Sequence, residues 1–107
     1  MPTAEEHSQD CIRELGKPFR EVHEWLDELF AYVGSDHRDI RHNVLGVEKV
    51  RKIWGNEASK AAEIHILKDE GKIPQIDSTF KIRMAFKPHI HQAFLKEYEE
   101  DSEESNL

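Results

Sequence analysis

The chain has 107 residues, 37% hydrophobic and 35% charged, which suits one small domain with a single core and a largely solvated surface. Its formal charge of -7 argues against a nucleic-acid backbone as main partner, because such partners call for clustered Lys and Arg. Six acids (Glu97, Glu99, Glu100, Asp101, Glu103 and Glu104) crowd the end of the chain, so residues 1–96 hold 16 acids against 15 bases and are nearly neutral.

Residues 1–16 are polar, with a thin apolar stripe at Cys11, Ile12 and Leu15. They predict a short, partly ordered helix ended by Gly16-Lys17-Pro18, to which no function is assigned. Cys11 is the single cysteine, so an internal disulfide and a cysteine-rich zinc framework are excluded, and any metal must be held by imidazole and carboxylate. From Pro18 onward, Phe19, Val22, Leu26, Leu29, Phe30 and Val33 recur at helical spacing up to Gly34, predicting one continuous amphipathic helix. Ser35 and Asp36 are suited to cap a second helix, with Ile40, Val44, Val47 and Trp54 on one face and Gly55-Asn56 at its end. Asn56 then opens a helix through Ala58, Ala61, Ala62, Ile64 and Ile66 to Glu70. Gly71 is its left-handed terminator, and the small alanines permit close approach to a neighbour. Residues 79–86 read as helix rather than an isolated strand, with Asp77 or Ser78 as the cap, and Pro88 opens a last helix carrying Ile90, Ala93, Phe94 and Tyr98. The expectation is an all-α bundle of four to five helices: a partly ordered segment at 1–16, a helical domain at 17–97 and a disordered acidic tail at 98–107.

The chemistry is concentrated in three stretches. His23 and Asp27 stand four residues apart, as do His65 and Asp69, so each pair presents an imidazole and a carboxylate on one helical face. Between them lies Asp36-His37-Arg38-Asp39-Ile40-Arg41-His42. His42 is five residues from His37, about 140° around a straight helix, so the two serve one site only if His37 belongs to the entry turn. His23, Asp27, His37, His65 and Asp69, with His42 as a further candidate, form a donor set suited to zinc, manganese or iron. In an enzyme, Arg41 would take an anionic group of the substrate and Glu63 would serve as base. The same residues also suit a metal-free network, in which Arg41, Arg38 and His37 pair with Asp27, Asp69 and Glu63 to fix helix register.

The order His23-x-Trp25-x-Asp27, then His37-Arg38-x-Ile40-Arg41-His42 with Gly46, then Glu63-x-His65-x-x-x-Asp69-x-Gly71-x-Ile73-Pro74 resembles a family of short, uncharacterised bacterial and phage helical proteins. The resemblance spans about residues 19–75 and implies that these polar residues belong together. A looser similarity is to the His-Asp metal-dependent phosphohydrolases, all-helical enzymes that gather His and Asp ligands from several helices. Here the adjacent pair reads Asp36-His37 instead of His-Asp, and the chain is shorter than those enzymes.

Two functions follow as expectations. One is a metal-binding protein acting on a small anionic substrate, such as a phosphoester. The other is a non-enzymatic acidic regulator or inhibitor of a protein partner. No apolar run nears the roughly 18 to 20 residues of a membrane span and no signal-peptide pattern opens the chain, so the expected setting is cytoplasmic, with no membrane partner. A thin core favours a homodimer. His89-x-His91 reads as a helix start behind Pro88, and Trp25 and Trp54 as core or groove residues.

Overall fold

The computed structural model describes the backbone of residues 4–105 and the side chains of residues 5–99. Among the described residues eight α-helices follow in order: α1 (Ala4–Leu15), α2 (Arg20–Asp27), α3 (Phe30–Val33), α4 (His37–Arg41), α5 (Val44–Trp54), α6 (Asn56–Glu70), α7 (Ser78–Ala85) and α8 (Pro88–Ser105), with a 3-10 turn at Gly34–Asp36 before α4. The described residues contain no strand, and the fold is a small all-α bundle.

Two apolar clusters hold it together. One joins α1, α2, α5 and α6 through Cys11, Val22, Leu26, Val47, Val50, Ala58, Ala61, Ala62 and Ile66. The three alanines sit where α5 and α6 pack most extensively, as small side chains allow. The other cluster joins α4, α7 and α8 through Ile40, Phe80, Met84, Ile90, Phe94 and Tyr98. Helix α1 is a 12-residue element packed on α2 and α6, with Cys11 fully buried and Ile12 left outside. Helix α8 continues through Ser105, so part of the expected loose tail is helical; its side chains from residue 100, and all of residues 106–107, lie outside the described residues.

The two long helices expected from periodicity are each divided. The first starts at Arg20, after Phe19 in a left-handed conformation, and stops at Asp27; the chain resumes as α3 at Phe30. The second stops at Arg41 because Asn43 acts on both sides of a break. Its Nδ2 donates to the carbonyls of Asp39 (3.1 Å) and Ile40 (3.2 Å), while its Oδ1 accepts from the Gly46 amide at 3.0 Å and caps α5. A Cβ at Gly46 would lie 1.8 Å from the Arg41 carbonyl oxygen, so only glycine admits this close return of α5 onto the end of α4. Helix α7 begins as expected, with Asp77 Oδ1 accepting from the Phe80 amide, and Gly71 ends α6 in the left-handed region.

Candidate metal centre

The break at His42 and Asn43 has a functional consequence. With backbone angles of φ -87° and ψ 60°, His42 leaves the helical path, and the 140° separation of a straight helix no longer applies. It joins His23 and Asp27 on α2, His37 at the start of α4, and His65 and Asp69 on α6. His7 of α1 completes the assembly, so five of the seven histidines are fully buried together.

Hydrogen bonds to main-chain carbonyls assign the tautomers of two rings, since a carbonyl only accepts. His37 donates from Nδ1 to the Gly34 carbonyl at 2.9 Å, which leaves Nε2 bare and 3.5 Å from Asp27 Oδ1. His42 donates from Nε2 to the Leu26 carbonyl at 3.0 Å; that nitrogen also passes 3.3 Å from Asp27 Oδ1, and the bare Nδ1 stands 3.6 Å from Asp69 Oδ2. His65 Nε2 lies between the carboxylates, 3.3 Å from Asp27 Oδ1 and 3.2 Å from Asp69 Oδ2. The other Asp69 oxygen is 3.3 Å from His7 Nε2.

These short separations are not hydrogen bonds. His37 Nε2, His42 Nδ1, His65 Nε2, Asp27 Oδ1, both Asp69 oxygens and both His7 nitrogens are buried with no hydrogen-bond partner among the described residues. Ligands 2.0–2.2 Å from a tetrahedral ion stand about 3.3 to 3.6 Å apart, the range of the separations around His65 and Asp69. One donor atom from each of Asp27, His42, His65 and Asp69 lies within 4.8 Å of the others, close enough to hold a metal ion. Two carboxylates would balance the charge of a divalent cation, and carbonyl-anchored imidazoles are the usual outer support of metal-binding histidines.

A second trio, His7, His23 and His65, also meets the distance condition, but it shares His65. A neutral imidazole has one lone pair, and His65 Nδ1 is already in a 2.9 Å hydrogen bond with His23 Nδ1. Nε2 is the nitrogen without a hydrogen-bond partner, and it faces Asp27 and Asp69. His23 is thus placed behind His65, with its own Nε2 3.2 Å from Cys11 Sγ. His7 lies flat on His65, ring centres 3.6 Å apart.

The electrostatics agree with this geometry. Burial would raise Asp27, yet the imidazoles of His37, His42 and His65 beside it outweigh that effect and hold the carboxyl well below its usual range. Asp69 is likewise lowered against burial by His65 and His7. Burial opposes charge on His65, but Asp27 and Asp69 outweigh it and raise the pKa. For His42 burial prevails and lowers it, and His23 is pushed down to about 4 by burial and by its neighbours His65 and His7. Burial also pushes the Cys11 thiol up to about 11.

The two residues given catalytic roles from the sequence stand apart from this centre. Arg41 is 6% exposed and engaged throughout: Nε donates to Glu97 at 2.5 Å, Nη1 to the Trp25 carbonyl at 2.7 Å and to Glu28 at 3.1 Å, and the guanidinium lies 4.2 Å from the Trp25 ring centre. Glu63 is half-buried and makes no ion pair or hydrogen bond with the cluster among the described residues. Arg38 faces Glu70 at 3.4 Å, so neither arginine pairs with Asp27 or Asp69. His7 and Cys11 were not assigned to the site from the sequence. The available signal was their own four-residue spacing, which puts them on one face of α1.

Access is narrow. Asp69 is 1% exposed at its side chain and the histidines are sealed, whereas Asp27 keeps 22%. A cleft of about 530 Å³ is lined in part by His42, with Arg38, Glu70, Lys72 and Phe80 in its wall. Among the described residues no helix is long and apolar enough to cross a membrane. Comparison with family models, with curated proteins and with solved structures found no match.

Proposed function

We propose that this chain is a metal-binding protein, with one divalent cation, zinc, manganese or iron, held between α2, α4 and α6 by Asp27, His42, His65 and Asp69. His37 stands by on the Asp27 side. The observation that carries this reading is the convergence of buried, hydrogen-bond-free donor atoms at ligand-to-ligand spacing. A structural polar network would instead be expected to satisfy its members, because each buried unpaired polar atom costs roughly 1 to 3 kcal/mol. The test is elemental analysis of tag-free protein, followed by zinc titration of the chain and of Asp69→Asn and His65→Ala. One equivalent bound by the parent and little by the variants is expected; a parent that takes up no metal disproves the reading.

A second reading, hydrolysis of a phosphoester or similar bond at the same ion, draws support from the cleft that reaches His42. A divalent cation that kept a further coordination position for solvent would supply an acidified water there. Because Arg41 is committed to Glu97 and Glu28, the anion-binding role falls to Arg38 and Lys72 on the cleft wall. Metal-dependent cleavage of p-nitrophenyl phosphate that disappears in His65→Ala is the expected result; turnover that survives this change rules the reading out. The partner-binding alternative predicts no turnover and a complex formed independently of metal.

A further inference from the structure

His23 is fully buried, and among the described residues it has no carboxylate within ion-pairing distance, yet both of its nitrogens are used. Nε2 is 3.2 Å from Cys11 Sγ and Nδ1 is 2.9 Å from His65 Nδ1. The His23 and His65 rings are within 16° of parallel, and their centres are 5.2 Å apart. Cys11, His23 and His65 therefore form a chain whose inner end, His65 Nε2, faces Asp27 and Asp69, with the Pro18 carbonyl also beside the His23 ring. A neutral imidazole carries one proton and one lone pair on its two nitrogens, so fixing one nitrogen fixes the other. The Nδ1 to Nδ1 bond passes that constraint from ring to ring.

We propose that His23, backed by Cys11, is a positioning residue for the metal centre: it sets the tautomer of His65, and the direction of the whole chain reverses when a cation binds. The inference rests on the metal site proposed above. Without a cation, the proton on His65 Nε2 faces the two carboxylates. His65 Nδ1 then accepts from His23 Nδ1, and His23 Nε2 accepts from the thiol. A cation requires His65 Nε2 bare: its proton leaves to solvent, and the proton in the 2.9 Å bond passes from His23 Nδ1 to His65 Nδ1, which then donates to His23. The proton of His23 then stands on Nε2 and points at the sulfur. Each imidazole keeps one proton and the thiol keeps its own; the proton lost to solvent from His65 Nε2 is matched by one gained at His23 Nε2. The thiol changes from donor to acceptor without a change of charge. Outer partners of metal-bound histidines act in this way, and losing one typically weakens metal affinity about 10- to 100-fold.

The direct test uses the unaltered, nitrogen-15-labelled protein in a buffer alkaline enough to keep both imidazoles neutral. Long-range proton–nitrogen NMR spectra are recorded without zinc and with one equivalent. His23 should change from the Nδ1–H to the Nε2–H tautomer, although its own nitrogens show no metal-bound shift. Zinc uptake with His23 unchanged, or with zinc on His23 itself, overturns the inference and leaves the metal site standing. No zinc uptake overturns both. As a second measurement, His23→Phe should bind zinc about 10- to 100-fold more weakly, and His23→Asn, which keeps an acceptor facing His65, should recover most of the loss. Equal affinity in the Phe variant and the parent would also reject the positioning role.

Discussion

Two buried polar stations lie one residue apart in the chain and are resolved in opposite ways. At Arg41 the guanidinium is matched by two carboxylates, a main-chain carbonyl and an aromatic face, and it ties α4 to α2 and α8. At His42 and its neighbours, bare nitrogens and carboxylate oxygens face one another without bonding. The difference separates two uses of buried charge. A group whose partners are all supplied by the chain is a clamp, and removing one partner is costly. A group of buried donor atoms left without hydrogen bonds is one that a cation would satisfy.

That contrast is broken most forcefully by withdrawing the proposed metal. A cation present at a thousand times its dissociation constant stabilises the folded state by about 4 kcal/mol, worth roughly 15 °C or more in a domain of this size. Chelation should therefore lower the melting temperature by about that much, measured by calorimetry, and zinc should restore it; an unchanged melting curve would contradict the assignment of the centre. Next in size is Arg41→Ala. It leaves the Glu97 carboxylate, 17% exposed, without its arginine, and costs about 3 kcal/mol. Metal stoichiometry should stay at the parent value. Loss of metal together with stability would mean that the two stations are one network.

Acid sharpens the contrast in the metal-free protein. The folded-state pKa of His23 is pushed down to about 4, below its unfolded value near 6.5, so the neutral form is the one the fold prefers. Its contribution is present above the unfolded value and is lost as pH falls from about 6.5 toward 4, at most about 3 kcal/mol. His42 shifts in the same direction, and His65, which is raised, opposes them. Asp27 and Asp69 are lowered, so their contributions are lost only below the unfolded carboxylate range. Urea midpoints across this interval should fall with acid, and a flat profile would show that His23 is not held neutral.

How far the sequence reveals this arrangement depends on the kind of signal involved. Helices α6 and α7 follow from Gly71, Asp77 and the apolar period, because each signal acts within a turn of the residue that carries it. The His65 and Asp69 pair is legible for the same reason. The division of the 36–54 stretch is not, since Ile40, Val44 and Val47 keep helical spacing across a break made by one asparagine side chain and one glycine return. Straight-helix geometry therefore sets His42 apart from His37, and the break is what brings it in. Arg41 invites an anion-binding role by its type and position, but its partner Glu97 lies 56 residues away on α8. His7 belongs to a segment whose polarity hides its buried face, and only packing on α6 distinguishes it from a surface residue.

The smallest expected effect tests whether the clamp side can be loosened without touching the centre. Tyr98 on α8 donates from its hydroxyl to the Ile40 carbonyl at 2.6 Å, one residue before Arg41. Tyr98→Phe keeps the ring against Phe94 and removes the hydroxyl that donates to Ile40, a bond worth about 1 kcal/mol. Because Asn43 Nδ2 also donates to the Ile40 carbonyl, that oxygen keeps a partner and the α4 break should hold. Zinc affinity should then equal that of the parent while the melting temperature falls by several degrees. A matching fall in zinc affinity would show that α8 holds His42 in place through Ile40, and that the clamp and the centre share one support.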